Sequence, residues 1–349
     1  MPKPIRGRGS AHNPKNRFQD THLQYDVDEG TGEFKRPDTR LIPDHTSQII
    51  STNNSPDIGF DVSVNPYRGC EHGCVYCYAR PTHEFLGMSA GLDFESRIVV
   101  KYNAPELLRK ALAKKSWKPQ TLVMSGVTDP YQPIEKELKI TRGCVEVLAE
   151  CNHPLAVITK NYLVTRDIDL FSRLAEKNAV RVILSVTSLN RSITETMEPR
   201  TTRPEKRLQA IRELSEAGIP VQVNIAPVIP GLTDHEIVPI MEAVADAGAR
   251  WVSIVNLRLP LAVKDIFIKW LEDHHPNRKE KVLNRIRSMK QGKLNRCEFG
   301  DRFRVEGPYA EQLKKLVEIN AERLGLNQER SALCPKHFKR PQTDQLRLF

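Results

Sequence analysis

Three cysteines fall within eight residues, in Asn65-Pro-Tyr-Arg-Gly-Cys70-Glu-His-Gly-Cys74-Val-Tyr-Cys77-Tyr78. Thiolates are metal ligands, and the spacing C-x3-C-x2-C puts three of them on one short loop. Such a loop can wrap three corners of an iron–sulfur cube and leave the fourth iron without a protein ligand. Gly69 and Gly73 let the backbone bend close to the bound group. The alternative is zinc, but a structural zinc site takes four protein ligands and this loop offers three. His72 would be a strained fourth, because it lies between two ligands on one tight turn. The seven cysteines are odd in number, and their clustering argues for metal ligation and against a disulfide framework. Cys144 and Cys151 read as buried core thiols. Cys297, Cys334 and His337 are more simply structural than a second metal site.

The elements that must hold this loop follow a regular rhythm. Thr121 to Met124, Leu155 to Thr159, Val180 to Val186, Val221 to Ile225 and Trp251 to Val255 are short apolar runs. They start roughly 30 residues apart, the length of one βα unit. Asp61 to Val64 makes a sixth strand, and the cysteine loop follows it directly. Asn103-Ala-Pro-Glu106, Thr202-Arg-Pro-Glu205 and Thr233-Asp-His-Glu236 carry the capping-box pattern, with Gly218 and Gly248 as helix stops. Strand, loop, capped helix and strand in repetition imply a parallel sheet with right-handed crossovers. Nearly continuous apolar strands fit a sheet covered on both faces or closed on itself. The expected fold class is α/β: a partial (β/α)6 TIM-like barrel whose active site lies on the loops after the strands' C-terminal ends. Residues 1–60 read as an irregular N-terminal arm, 61–258 as the barrel core and 259–349 as a mostly helical C-terminal extension. Within the extension, Pro260 to Met289 and Tyr309 to Arg323 read as helical and Phe338 to Phe349 as an extended tail.

The chain of 349 residues is 39% hydrophobic, which excludes wholesale disorder. No apolar run reaches the roughly 18 residues of a membrane span. The start, MPKPIRGRGS, has no apolar stretch of the secretory kind, so a cytoplasmic protein is expected. The formal net charge of +10 favours polyanionic partners, nucleic acid first. From Asn277 to Arg304 there are ten basic and three acidic residues, and the first nineteen residues hold five basic groups and no acid. These read either as a functional basic surface or as a solvated helix face and a frayed tail.

The cysteine pattern with an aromatic residue, Tyr76, before the third Cys, following the first strand of a six-unit half barrel, resembles the radical S-adenosylmethionine (SAM) enzymes over roughly residues 60 to 260. Tyr78, Ser125-Gly-Val-Thr-Asp-Pro-Tyr-Gln-Pro133 and Ile158-Thr-Lys-Asn161 resemble its DNA-repair-photolyase-like branch, which includes spore photoproduct lyase. Met124 to Asp129 contains no cysteine in the place where that lyase has one, so the resemblance is to the branch and not to that enzyme. It implies a [4Fe-4S] cluster on Cys70, Cys74 and Cys77, with SAM chelating the open iron. An electron from the cluster would break the sulfonium bond to C5′, and the 5′-deoxyadenosyl radical would abstract a substrate hydrogen. An electron donor such as a flavodoxin or ferredoxin is implied as well.

The same resemblance points to strand-end residues for SAM. Asp129, with Thr128 beside it and Pro130 after it, stands where many such enzymes have Gly-Gly-Glu-Pro, and an anion there suits the SAM ammonium. Thr159 and Lys160 could meet the SAM carboxylate. Ser185 and Thr187 could bond the ribose or carboxylate, and Asn224 the adenosine. Arg200 and Arg203 are lesser candidates for an acidic group. Pro227 to Thr233 resembles the adenine-side loop of the superfamily. The expected function is radical SAM chemistry on a substrate, nucleic acid first. A peptide or metabolite substrate is one alternative. A non-catalytic, zinc-stabilised nucleic-acid-binding protein is the other.

Overall fold

The six apolar runs become six parallel strands lying side by side in sequence order. A computed structural model describes residues 5–19, 37–329 and 332–342. Its strands are β1 (Arg40–Pro43), β2 (Ile50–Thr52), β3 (Val62–Val64), β4 (Tyr67–Arg68), β5 (Arg97–Val100), β6 (Leu122–Met124), β7 (Leu155–Thr159), β8 (Val180–Val186), β9 (Val221–Val228) and β10 (Trp251–Asn256). The main sheet has the order β10-β9-β8-β7-β6-β3-β2, parallel throughout except for β2, which runs antiparallel to β3. It is an α/β arrangement, open in its hydrogen bonding: among the described residues β10 and β2 are not paired.

The helices are α1 (Leu92–Ser96), α2 (Ala104–Ala113), α3 (Glu135–Leu138), α4 (Ile140–Glu150), α5 (Ile168–Ala175), α6 (Arg191–Met197), α7 (Pro204–Glu216), α8 (Ile237–Asp246), α9 (Ala262–His274), α10 (Pro276–Met289) and α11 (Pro308–Arg323). Right-handed crossovers between sequential neighbours put the connecting helices on one face. The burial pattern agrees. Val221, Val223 and Ile225 of β9 are buried in the core with the apolar residues of α7 and α8. Gln222 and Asn224 alternate with them and are only partly buried. The strands are therefore not continuously apolar as expected. Their second face carries a polar row in register, Ser185, Asn224 and Ser253, on β8, β9 and β10.

The capping boxes do not form. Asn103 makes no side-chain cap bond, and Arg203, not Thr202, is the N-cap of α7. Thr202 Oγ1 accepts from Tyr162 N (2.9 Å), Thr233 Oγ1 from Ile229 N (3.0 Å), and the Glu236 carboxylate takes Ser188 Oγ and Leu189 N (2.6 and 2.7 Å). Buried loop N–H groups claimed these side chains, since an unpaired buried donor is costly. Gly218 and Gly248 do end their helices, with φ of 76° and 92°.

Before β3 the chain is less irregular than expected. β1 joins β5 and β4 in a small second sheet. Residues 5–19 are docked. Gly9 N and Ser10 N donate to the buried Glu95 carboxylate (2.9 and 2.8 Å), and Arg8 Nη1 donates to Glu95 O (2.5 Å). That segment is no frayed tail. In the C-terminal region the long helical run divides into α9 and α10 at His275. Of the tail expected from Phe338 to Phe349, residues 338–342 are described and carry no helix or strand, and the rest falls outside the described residues. α9 and α10 share one buried apolar cluster with Cys74, Val75, Tyr76, Ile193 and Leu232, so they press on the cysteine loop. Among the described residues no helix is long and apolar enough to cross a membrane.

Candidate metal centre

The cysteine loop leaves the C-terminal end of β3 through β4 and is held from several sides. Cys70 N donates to Phe94 O (2.9 Å), Val75 N to Met197 O (3.0 Å) and Arg200 N to His72 O (3.2 Å). Thr128 Oγ1 donates to Gly69 O (2.6 Å). Gly69 and Gly73 have φ of 81° and 70°, in the left-handed region. Beneath the loop the fully buried Arg80 donates to Cys74 O (2.8 Å) and pairs with Glu95 (2.5 Å).

Cys70 and Cys74 are buried, Cys77 is partly buried, and all three are free thiols. Burial pushes each thiol pKa up. For Cys74 the carboxylate of Glu198 adds to this and Lys160 opposes it, and for Cys77 Arg80 opposes it. Buried thiols in such a setting give up their protons to a metal, which deprotonates a coordinating thiol outright. Zinc with bonds of ≈ 2.3 Å would need sulfurs only about 4 Å apart. Among the described residues no group of three His, Cys, Asp or Glu can hold a single ion. A cluster in which each cysteine takes a different iron does not require the three thiols to converge on one ion. Cys297 and Cys334 do not meet: Cys297 neighbours Arg258, past the end of β10, whereas Cys334 N bonds Asn178 O, ahead of β8. Those are opposite ends of a parallel sheet. Cys144 and Cys151 are buried in the core, as expected.

Around the loop stand the strand-end groups. After β6, Asp129 Oδ1 accepts from Thr159 Oγ1 (2.7 Å) and Tyr131 N (2.9 Å), and Oδ2 from Lys160 N (2.9 Å). His72 Nδ1 lies 3.4 Å from the same oxygen. Burial would raise this carboxyl, but His72 and the bonds from Thr159 and Lys160 outweigh it and hold it below the ordinary value. Both Asp129 oxygens are therefore engaged by the chain itself. Thr159 is in register with Leu184, on the helix-side face, and supports Asp129. The Lys160 ammonium has no ion-pair partner among the described residues and sits 5.8 Å from the Tyr76 ring centre.

The Tyr76 hydroxyl donates to buried Glu198, which also takes Thr187 Oγ1 (3.0 Å) and pairs with buried Arg207. Burial raises the Glu198 carboxyl, but Arg207, Lys160 and Tyr76 bring it below its usual range. Arg207 Nη1 reaches Ser185 O (3.0 Å). Ser185 lies beside Asn224, whose Oδ1 accepts from Ser253 Oγ (2.8 Å). Arg200 pairs with Glu71 of the loop (2.9 Å), and Arg203 has no ion pair among the described residues. The sequence did not single out Glu71, Glu95, Glu198 or Arg207. Two atoms near the end of β10 are buried without a partner, Asn256 Oδ1 and Arg258 Nε.

A family model described as Radical SAM superfamily matches residues 64–244. The chain belongs to the radical SAM superfamily. A relative in Mycobacterium tuberculosis, an uncharacterised protein of strain H37Rv, is 36% identical over 232 residues, 66% of this chain and 68% of the relative. A radical SAM Nalpha-GlyT isomerase of Pseudomonas phage M6 is 26% identical over 176 residues, 50% of this chain and 35% of the relative. Among solved structures, a spore photoproduct lyase mutant with bound AdoMet and dinucleoside spore photoproduct superposes with a TM-score of 0.57 at 17% identity, over 82% of this chain and 80% of that one. Radical SAM enzymes bind a [4Fe-4S] cluster and SAM, and this chain is an enzyme of that class. Its residues fit those groups: three clustered thiols, two of them buried, with an unpaired ammonium beside them and two orphaned polar atoms at the end of β10.

Proposed function

We propose that Cys70, Cys74 and Cys77 hold the cluster at the mouth of a partial (β/α)6 barrel, and that the polar row Ser185–Asn224–Ser253 faces its interior. Lys160 is the group suited to the SAM carboxylate, and Asn224 and Asn256 to the adenosine. Thr128, Asp129, Thr159 and Tyr76 act on the SAM side by fixing the cysteine loop and the β7 end around it. When bound, the cluster and SAM supply a 5′-deoxyadenosyl radical that takes a hydrogen atom from the substrate. The protein binds, orients and excludes water. A cytoplasmic setting, with electrons from a flavodoxin- or ferredoxin-type donor, suits an oxygen-sensitive cluster.

The substrate we infer is nucleic acid. The observation that carries this reading is a platform next to the cysteine loop. Tyr78, Phe299 and Phe303 are exposed, and guanidiniums lie over the last two: Arg302 at 5.0 Å from the Phe299 ring centre and Arg258 at 4.4 Å from that of Phe303. Exposed rings and flat guanidiniums are what unstacked bases lie against. The dinucleoside bound by spore photoproduct lyase supports the same class. The test is SAM cleavage by the reduced, reconstituted enzyme with and without single-stranded DNA or RNA. Stimulation that is lost in Tyr78→Ala or Phe303→Ala supports the reading. Stimulation by peptides instead would replace it.

A further inference from the structure

A cavity of about 620 Å³ is lined in part by the loop after β9. Its walls come from Asn190 and Ser192 at the start of α6, from Gly231 to His235, from α10 and from Tyr309 of α11. That volume is in the range of sites for nucleotide-sized ligands. Three cations line it, Arg278, Lys281 and Arg285, and their spacing along α10 brings them to one helix face.

The structure separates these three from most of the basic segment; Arg287 and Lys293 also lack an acidic partner among the described residues but do not line the cavity. Lys279 pairs with Glu272, Arg296 with Asp301, Arg302 with Asp57 and Arg304 with Glu306. Lys290 is buried and donates to Leu257 O (2.6 Å). Arg278, Lys281 and Arg285 have no acidic partner among the described residues. Arg285 lies 4.4 Å from the ring centre of Tyr309, which orients it. The one carboxylate in the wall, Asp234, is turned to Gly231 N (2.8 Å) and to the Tyr309 hydroxyl. His235 and His275 also line the cavity.

We propose that this cavity binds a phosphate group. On the nucleic-acid reading above, on which this rests, the group is a backbone phosphodiester some distance from the reacting base. Cations without counter-ions in a concave wall focus a positive potential that attracts such an anion. Guanidiniums add paired donors that match phosphate oxygens. The wall reaches the catalytic end of the fold. Ile193 and Leu232 belong to the apolar cluster that contains Cys74 and Tyr76. The Gly231 turn rests on the stems of Lys281 and Arg285, since a Cβ there would lie 3.4 Å from Lys281 Cγ. A nucleic acid anchored here would be tethered one layer of side chains from the cysteine loop.

The test uses the reconstituted full chain and fluorescein-labelled oligo(dT), with anisotropy read over a range of salt. One variant combines Arg278→Glu, Lys281→Glu and Arg285→Glu. A control with the same charge change combines Lys110→Glu, Lys114→Glu and Lys115→Glu on and just after α2. The expected result is a loss of tenfold or more in affinity for the first, with the slope of log affinity against log salt shallower by about 2, and a much smaller loss for the control. Equal losses in both would overturn the site while leaving a nucleic-acid substrate in place. If the wild type binds no oligonucleotide at low salt, the substrate reading falls, and calorimetry with inorganic phosphate decides the site. Binding by the wild type and not by the triple variant supports a site for a free phosphorylated molecule. No binding by either overturns it.

Discussion

Gly9 lies so close to Gly73 that a Cβ on Gly9 would stand 1.6 Å from the Gly73 carbonyl oxygen. The N-terminal segment is thus laid directly over the middle of the cysteine loop, and Glu95 binds both the segment and Arg80 beneath.

Gly9→Ala cannot be accommodated without moving one backbone or the other. Overpacking of this kind costs about 1–3 kcal/mol. The expected outcome is a lower melting temperature and reduced iron content after reconstitution. Wild-type iron content and melting temperature would mean that the segment is not seated there.

The three loop thiols and the two core thiols separate cleanly. Cys74→Ala is expected to abolish the visible absorbance of the reconstituted cluster. Cys144→Ala, in α4, is expected to keep it, with a modest loss of stability from the cavity. A full cluster in Cys74→Ala contradicts the ligand assignment.

Asp129 and Lys160 are adjacent to the same site but differ in what they hold. Asp129 ties His72 of the loop to the end of β7, so Asp129→Ala is expected to lower both iron content and SAM affinity. Lys160→Ala should keep its iron and lose about 1.5–3 kcal/mol of SAM binding, the usual value of a charge-assisted bond. Equilibrium dialysis with SAM, beside iron analysis, checks both. Unchanged SAM affinity in Lys160→Ala would move the carboxylate site elsewhere.

The pH dependence of folding has an identifiable contributor. Burial holds the His153 imidazole down to about 4 from 6.5, although its bond to Pro154 O raises it. Trp117 Nε1 donates to its Nε2 (3.1 Å), which requires the neutral ring. The unfolded chain takes up this proton first. The stabilisation is therefore fully present above pH 6.5 and is lost as pH falls toward 4. It amounts to roughly 2 kcal/mol between pH 6.5 and 5. Denaturant titrations at the two pH values should give a shallower dependence in His153→Gln. An unchanged slope would assign the effect to other groups.

The cysteine loop and the six strands were legible because their signals are local. Three cysteines in one turn carry their meaning in their spacing. Val221, Val223 and Ile225 mark a strand wherever it packs. The polar face was only partly visible: Ser185 and Asn224 stood out as single strand-end residues, but that they form one row with Ser253 shows only once register aligns the strands. The supports of the loop were not legible at all. Glu198 meets Tyr76, and Glu95 meets Gly9 and Ser10, across long stretches of chain with nothing local to announce them. Thr202 and Thr233 had the pattern of caps, but the Tyr162 N–H from across the chain and the Ile229 N–H of Thr233's own loop took their hydroxyls. The basic segment looked uniform, and only the fold shows that Arg278, Lys281 and Arg285 are the ones that share a cavity wall.

The central claim is a radical SAM site built on Cys70, Cys74 and Cys77, and one measurement addresses it directly. The protein is reconstituted anaerobically with iron and sulfide, reduced with dithionite and incubated with SAM, and 5′-deoxyadenosine is quantified. The account predicts its formation by the wild type and by Cys144→Ala, and background levels in Cys70→Ala, Cys74→Ala and Cys77→Ala. No 5′-deoxyadenosine from a wild-type protein carrying a full cluster, or equal amounts from the loop cysteine variants, would contradict it.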